Sequence, residues 1–155
     1  MRVSTVAILT SIIFSLLASL SFAGDTPRGE QYIKRGYAVS GYDTVAYFTV
    51  GKATKGDKNI AAEWNNAQWL FASEEHKALF LANPTKYAPA YDGHCAFAAG
   101  INKKVSAKPT LWKIIDGRLF LNFSTAANDR WLENPESYIK DGDINWAELA
   151  KDPAA

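Results

Sequence analysis

The sequence predicts a small α+β domain of short antiparallel strands, arranged as hairpins, with helices packed on them. Short runs rich in β-branched and aromatic residues are separated by turn-forming residues, which is typical of hairpins. Between these runs lie segments with helix-capping serines and Asn-Pro stops, which indicate short helices. At 155 residues, the chain is long enough for one domain with a hydrophobic core.

The N-terminus predicts a secretory signal peptide over residues 1–23. Arg2 supplies positive charge, residues 6–20 carry none, and Ser21-Phe22-Ala23 places small residues where a signal peptidase cleaves. The apolar run is short for a membrane span, which needs roughly 20 residues. We therefore expect a periplasmic or secreted protein without a stable membrane anchor.

The charge balance argues against a nucleic-acid partner. The signal peptide holds one of the 17 basic residues and none of the 16 acidic ones, so the mature chain has 16 of each. A chain with no excess of either charge has no evident surface for nucleic acid or for an anionic membrane.

The mature chain divides into three predicted parts. Residues 24–37 form an N-terminal arm, with a short helical turn expected around Tyr32 and Ile33. Residues 38–100 form the main domain. Residues 101–150 form a hairpin–helix extension that we expect to pack on the same domain.

In the first half, strands are expected at residues 42–48, 60–64 and 68–71. Asn65-Asn66 favours a tight hairpin, because asparagine tolerates the positive φ that such turns require. Ser73 is a good N-cap for a helix that ends near Ala82, before the helix-stopping Pro84.

The second half contains the strongest hairpin signal, at residues 111–115 and 118–123. The Asp-Gly pair between these strands is the favoured pair for a type I′ turn. Ser124 then caps a helix, and a last helical piece is expected from Pro135 through Ile139. A turn at residues 141–143 should follow, with Trp146 docking the tail on the core.

The two halves also repeat loosely. FLANPTKY at residues 80–87 and WLENPESY at residues 131–138 both end a helix with Asn-Pro and continue into a tyrosine. The pattern indicates either an internal duplication or two uses of the same helix stop.

The stretch YAPAYDGHCAF at residues 87–97 holds the only cysteine and one of the two histidines. Asp92 is predicted to cap a helix over residues 93–99, with Cys95 as its third residue. Helix dipole and free amides would then favour a metal-binding or reactive thiolate. The alternative is a core residue, since free cysteine is among the most buried types.

The two histidines also allow two interpretations each. His94 and Cys95 would diverge by about 100° on a helix, which disfavours chelation of one ion, so His94 is either a ligand at a turn or a surface or capping residue. His76 shares a half-buried face with Leu79 and Phe80. It either approaches the Cys95 turn or is a helix-start histidine with one wet edge.

Cys95, His94 and His76 are the only nitrogen and sulfur ligands of the mature chain, because Met1 leaves with the signal. A structural zinc site takes four such ligands and is excluded. A copper site on His and Cys stays open, as do a thiol enzyme and a redox-linked dimer. Asp43 is a candidate to line a site or to form a strand-entry turn.

The order GYDTVAYF, then GKATKG, then WLFASEEHKALFLANPTKYAPAYDGHCAFA resembles the YHS domain family, and most of all its exported single-domain members. The resemblance covers residues 39–100, and LWKIIDGRLFLNFS is similar to the C-terminal extension of those members. Related modules are appended to copper-transporting ATPases and to some oxygenases. The resemblance implies a small α+β module that binds a metal ion, with copper as the candidate cofactor.

The resemblance also implies a shared turn and site region, made of Tyr42, Asp43, Tyr91, Gly93 and Cys95. Many YHS modules carry two cysteines, and the single Cys95 counts against a two-thiolate site. Thr44 stands where proline is common, and His94 adds a ligand to the turn. Cys95 with an assisting His94 or His76 is therefore the predicted copper site. The alternative remains a structural or interaction module with Cys95 in the core.

Overall fold

The computed structural model describes residues 28–153. The predicted signal peptide and the first residues of the predicted arm lie outside this range. Within it, no helix combines the length and the apolar character that a membrane crossing requires.

The described chain has the predicted α+β architecture, with four two-stranded antiparallel sheets and six α-helices. The paired strands are β1 (Ile33–Lys34) with β2 (Tyr37–Ala38), β3 (Tyr42–Asp43) with β4 (Thr54–Lys55), β5 (Asp57–Trp64) with β6 (Ala67–Phe71), and β7 (Lys108–Ile115) with β8 (Arg118–Asn122). The helices are α1 (Thr44–Thr49), α2 (Glu74–Ala82), α3 (Pro84–Tyr87), α4 (Ala96–Gly100), α5 (Thr125–Glu133) and α6 (Pro135–Leu149). Two 3-10 turns, Val39–Gly41 and Ala90–Gly93, precede β3 and α4.

Both predicted hairpins are confirmed, and their turns have the expected geometry. Asn65 and Asn66 adopt φ of 50° and 55° between β5 and β6, and Asp116 and Gly117 adopt 50° and 74° between β7 and β8. Positive φ at both central residues is the mark of a type I′ turn, which matches the twist of the flanking strands.

The predicted serine caps and Asn-Pro helix ends are also confirmed. The Ser73 hydroxyl accepts a hydrogen bond from the backbone N–H of His76 at the start of α2, and Ser124 caps α5 in the same way. Asn83 and Asn134 end these helices and cap α3 and α6 through their side chains. Both α3 and α6 begin with a proline, which has no N–H to satisfy.

The predicted strand at residues 42–48 is wrong beyond its first two residues. The Asp43 carboxylate accepts hydrogen bonds from the N–H groups of Val45 at 2.9 Å and Ala46 at 3.4 Å. These bonds make Asp43 an N-cap, so the chain turns into α1 although its residues favour strands. Local capping therefore overrides β propensity here.

The predicted stop after Ile139, with its turn at residues 141–143, is wrong as well, because α6 continues without a break to Leu149. Gly142 lies against Tyr91, where a Cβ atom would come within 2.6 Å of the phenolic oxygen. Asp143 receives two hydrogen bonds from Arg118, at 2.8 and 2.7 Å. Tertiary contacts thus hold in a helix a stretch whose local signal is a turn.

The helical turn expected near Tyr32 and Ile33 is also not found. Ile33 begins β1, which pairs with β2 across a turn in which Arg35 and Gly36 have φ of 58° and 86°. Residues 33–38 therefore form a small hairpin that leads directly into the domain.

The structure extends the loose repeat seen in the sequence to whole halves of the domain. Each half starts with a left-handed turn that ends in a glycine, Gly41 at φ 80° or Gly93 at φ 81°. An extended residue follows, and then the N-cap of a short helix, which is Asp43 for α1 and Cys95 for α4. The two N-caps are different amino acids, so their correspondence emerges only from the backbone.

The hairpins repeat the same irregularity. The register shifts between Asp57 and Ala61 in β5–β6, and between Lys108 and Trp112 in β7–β8. A serine-capped helix and an Asn-Pro helix follow in both halves. The predicted boundary at residue 100 therefore falls inside the second half, between α4 and β7.

Aromatic side chains dominate the interior. Trp69 and Phe80 belong to one core cluster, Trp131 and Trp146 belong to another, and Phe97 packs against both. Trp146 is fully buried, which confirms that it docks the C-terminal helix on the domain.

We predict that Gly142→Ala destabilises the protein. Alanine is normally more favourable than glycine in a helix by about 1 kcal/mol. Here the added methyl group would overlap Tyr91, so we expect a loss of about 1–3 kcal/mol in the free energy of unfolding, measured by urea denaturation. Asp141→Ala, at the exposed neighbouring position, should change stability by less than about 0.5 kcal/mol. A more stable Gly142→Ala protein would contradict the proposed packing.

Candidate functional site

The Cys95 turn differs from the predicted helix start. Residues Ala90–Gly93 form a 3-10 turn, in which Tyr91 and Asp92 have φ of 55° and 49°. Cys95 itself is the N-cap of α4, so it is not the third residue of a helix capped by Asp92. The prediction failed because Asp92 uses its carboxylate for contacts with distant segments instead of local N–H groups.

Asp92 anchors the turn to both ends of the described chain. Its side chain is 1% exposed, and its carboxylate accepts hydrogen bonds from Gly29 N at 2.6 Å and Trp146 Nε1 at 3.2 Å. Gln31 Nε2 donates to the Asp92 backbone carbonyl at 2.6 Å. Burial raises the pKa of the Asp92 carboxyl, while the Gly29, Trp146 and Arg28 contacts work against that rise. The turn is therefore rigidly enclosed.

Cys95 lies in the core, with 2% of its surface exposed. Its Sγ atom donates a weak hydrogen bond to Asn122 Oδ1 at 3.5 Å. Burial raises the pKa of the Cys95 thiol, although backbone N–H groups of Ala98, Phe123 and Phe97 oppose the rise. The expectation of a lowered thiol pKa is thus wrong, because desolvation outweighs the amides.

His94 is fully buried, which excludes the surface position considered for it. Its Nδ1 atom lies 3.0 Å from the Tyr91 carbonyl oxygen and donates to it, and its ring packs against Tyr32 and Trp146. Nε2 has no hydrogen-bond partner among residues 28–153. Burial lowers the pKa of His94 to about 4, so the imidazole is neutral near pH 7.

Cys95 and His94 point into different surroundings. Both residues have extended backbone, and successive side chains of an extended chain project to opposite sides. Accordingly, Cys95 belongs to the core cluster that contains Trp69, whereas His94 packs on Trp146. In the part of the chain that the structure describes, no three His, Cys, Asp or Glu side chains are grouped to hold a metal ion.

His76 is hydrogen-bonded to Asp43. The Nδ1 atom of His76 lies 2.6 Å from Asp43 Oδ2, and the two side chains are 14% and 0% exposed. The same Oδ2 atom accepts from Ala72 N at 2.8 Å. Because a carboxylate only accepts, Nδ1 carries the proton, and Nε2 is the acceptor of the neutral ring. His76 thus keeps one accessible edge, as predicted, and its partner is Asp43.

Thr49 completes this arrangement, and sequence reasoning missed it. Its hydroxyl donates to the Val45 carbonyl oxygen at 3.1 Å, and the same Oγ1 atom lies 3.1 Å from His76 Nε2, so the one hydroxyl proton has two acceptors within reach. Thr49 is the last residue of α1 and is exposed. The missed signal was Asp43 as a helix N-cap. An N-cap at this position predicts a helix in place of the strand, and the end of that helix lies against α2.

The other predicted site residues take part in strand pairing or in the packing of the Cys95 turn. Tyr42 pairs with Lys55 in β3–β4, and Tyr91 is buried with its hydroxyl 3.0 Å from Asp143 Oδ1. Burial is the main cause that raises the pKa of Tyr91. Gly93 has positive φ, and a Cβ atom there would lie 2.6 Å from Gln31 Nε2. Tyr91 and Gly93 therefore shape the turn and hold it in place.

No family model, no curated protein and no solved structure matches this chain significantly. The resemblance to YHS domains stays a prediction from the sequence.

We predict that stability falls as the pH is lowered from 6.5 to 4. In this window the unfolded state protonates His94, with a pKa of 6.5, while the folded state, with a pKa of about 4, does not. The difference amounts to about 3 kcal/mol in the free energy of unfolding. The Asp92 carboxyl, with its raised pKa, acts in the opposite sense, because its folded form takes up a proton more readily than its unfolded form.

Urea denaturation of the wild type and of His94→Gln at several pH values tests this expectation. The wild type should lose stability across the window, and His94→Gln should lose much less. His76 is present in both proteins, so its contribution cancels in the comparison. Equal slopes in the two proteins would contradict a neutral, buried His94.

Proposed function

We propose that this chain is an exported module of the YHS type whose Cys95 turn has a structural role and in which Cys95 is a core residue. The export signal and the family are predicted from the sequence. The observation that carries the proposal is the environment of Cys95, which combines 2% exposure, a raised thiol pKa and a hydrogen bond to Asn122. A structural or interaction module needs no reactive thiol at this position.

Copper binding, which the resemblance implies, does not fit these residues as one site. Cys95 would supply one sulfur, and His94 would have to reach the same ion from the opposite side of an extended chain. His76 is bonded to Asp43 and Thr49. A Cu(I) ion on Cys95 alone would also require opening of the core. Copper binding through Cys95 is the competing proposal, and these contacts count against it.

Thiol labelling tests the proposal without ambiguity, because Cys95 is the only cysteine. We expect a thiol-reactive dye to label the folded protein slowly and the urea-unfolded protein at once. Non-reducing electrophoresis should show a monomer. Rapid labelling of the folded protein, or a dimer that Cys95→Ser abolishes, would instead favour a thiol-reactive or redox-linked protein.

Titration with Cu(I) in the presence of a competing chelator separates the structural role from copper binding. The wild type, Cys95→Ser and Cys95→Ala should bind the ion equally and weakly. We also expect Cys95→Ala to lose about 1 kcal/mol of stability, because it removes a buried sulfur atom and leaves a small cavity in the core. Tight binding by the wild type that both variants lose would overturn the proposal and support a copper site on Cys95.

A further inference from the structure

The Asp43 carboxylate is built to orient a histidine. It is fully buried and accepts backbone N–H bonds from three residues, which are Val45, Ala46 and Ala72. A fourth donor is His76 Nδ1 at 2.6 Å. A carboxylate held in this way fixes the tautomer of the imidazole and stabilises the imidazolium that forms when Nε2 takes up a proton.

The basic nitrogen of that imidazole faces a hydroxyl group. His76 Nε2 lies 3.1 Å from Thr49 Oγ1, within the range at which a general base activates a nucleophile. The Thr49 side chain is exposed, and its neighbour Val50 is 54% exposed, so a small apolar acyl group can reach the hydroxyl. Nucleophile, base and orienting carboxylate thus form a connected series, in which the Thr49 hydroxyl is exposed and Asp43 is buried behind His76.

The second half of the domain shows that the fold does not need this arrangement. Cys95 occupies the N-cap position that corresponds to Asp43. Ala127 occupies the position of His76, since the backbone N–H of each residue is bonded to the capping serine of its helix. The second half therefore forms the same elements without a carboxylate or an imidazole at these positions. Formation of the fold alone thus does not explain why the first half has His76 bonded to Asp43.

We propose that Asp43, His76 and Thr49 form a hydroxyl-activating site that accepts acyl groups from small activated esters. The Thr49 hydroxyl proton rotates from the Val45 carbonyl oxygen to His76 Nε2, which takes it up as Oγ1 attacks the ester carbonyl and forms an acyl–Thr49 ester. The leaving alkoxide receives that proton from Nε2 and departs as the alcohol. Asp43 acts through His76 as a positioning residue.

Water returns the site to its starting state. His76 Nε2 takes a proton from a water molecule, whose oxygen attacks the acyl–Thr49 carbonyl and releases the carboxylic acid. The same proton then passes to Thr49 Oγ1. The net reaction is hydrolysis of an ester, and it requires neither an oxidant nor a metal ion. This activity is independent of the role proposed for the Cys95 turn.

The probe for this site is p-nitrophenyl acetate, with peptide mapping by mass spectrometry after short incubation near pH 7. We expect an acetyl group on Thr49 of the wild type. His76→Gln preserves a donor to Asp43 but removes the base, and should slow acetylation of Thr49 about a hundredfold. In His76→Ala, added free imidazole should restore part of the rate. A purely structural histidine would not produce this rescue.

Two further variants make the outcome decisive. Thr49→Ser should retain the adduct, and Thr49→Val should lose it. Thr85, which is exposed and bonded to Asn83 Oδ1 with no imidazole in contact, serves as the internal reference for background acetylation. Circular dichroism establishes that each variant is folded. Acetylation of Thr49 no faster than that of Thr85, or at the same rate in His76→Gln, would overturn the proposal.

Discussion

Acceptance of backbone N–H groups by a buried polar side chain at a helix start is the constraint on which both halves of this domain depend. Asp43 accepts from the N–H groups of Val45, Ala46 and Ala72 beside α1, and Asn122 Oδ1 accepts from the N–H group of Phe97 in α4. A buried N–H without an acceptor costs about 1–3 kcal/mol. An acceptor side chain at each helix start therefore lets a left-handed turn, a short helix and a hairpin pack together in the interior.

The identity of the N-cap residue separates the chemistry of the two halves. A carboxylate in the first half accepts strong hydrogen bonds and orients His76 toward an exposed hydroxyl. A thiol in the second half stays protonated, because desolvation outweighs the surrounding amides. The polar arrangement that reaches the surface is consequently the one formed by Asp43, His76 and the exposed Thr49 hydroxyl. The adjacent histidine and cysteine that are conspicuous in the sequence are enclosed by the arm, α6 and the core.

Local signals accounted for much of the fold. The hairpins and the serine and Asn-Pro helix ends depend on side chains within a few residues of the backbone they bind, so they could be predicted. The strand assigned to residues 42–48 failed because one capping carboxylate outweighed the β propensity of the five residues that follow it. For the candidate site, the sequence named Asp43 and His76 separately. It could not pair them, because the chain between them forms the hairpin that brings them together.

The sequence by itself determined the α+β class, the two hairpin turns, the serine and Asn-Pro helix ends and the inventory of thiol and imidazole groups. Only the tertiary structure decided which of these groups are exposed, because burial depends on segments far apart in the chain. Gly29, Gln31 and Trp146 close over the Asp92 turn. Tyr91 against Gly142, and Arg118 bonded to Asp143, likewise hold α6 in helical form. Such long-range contacts leave no periodic pattern in the sequence, yet they set the protonation of Cys95 and His94.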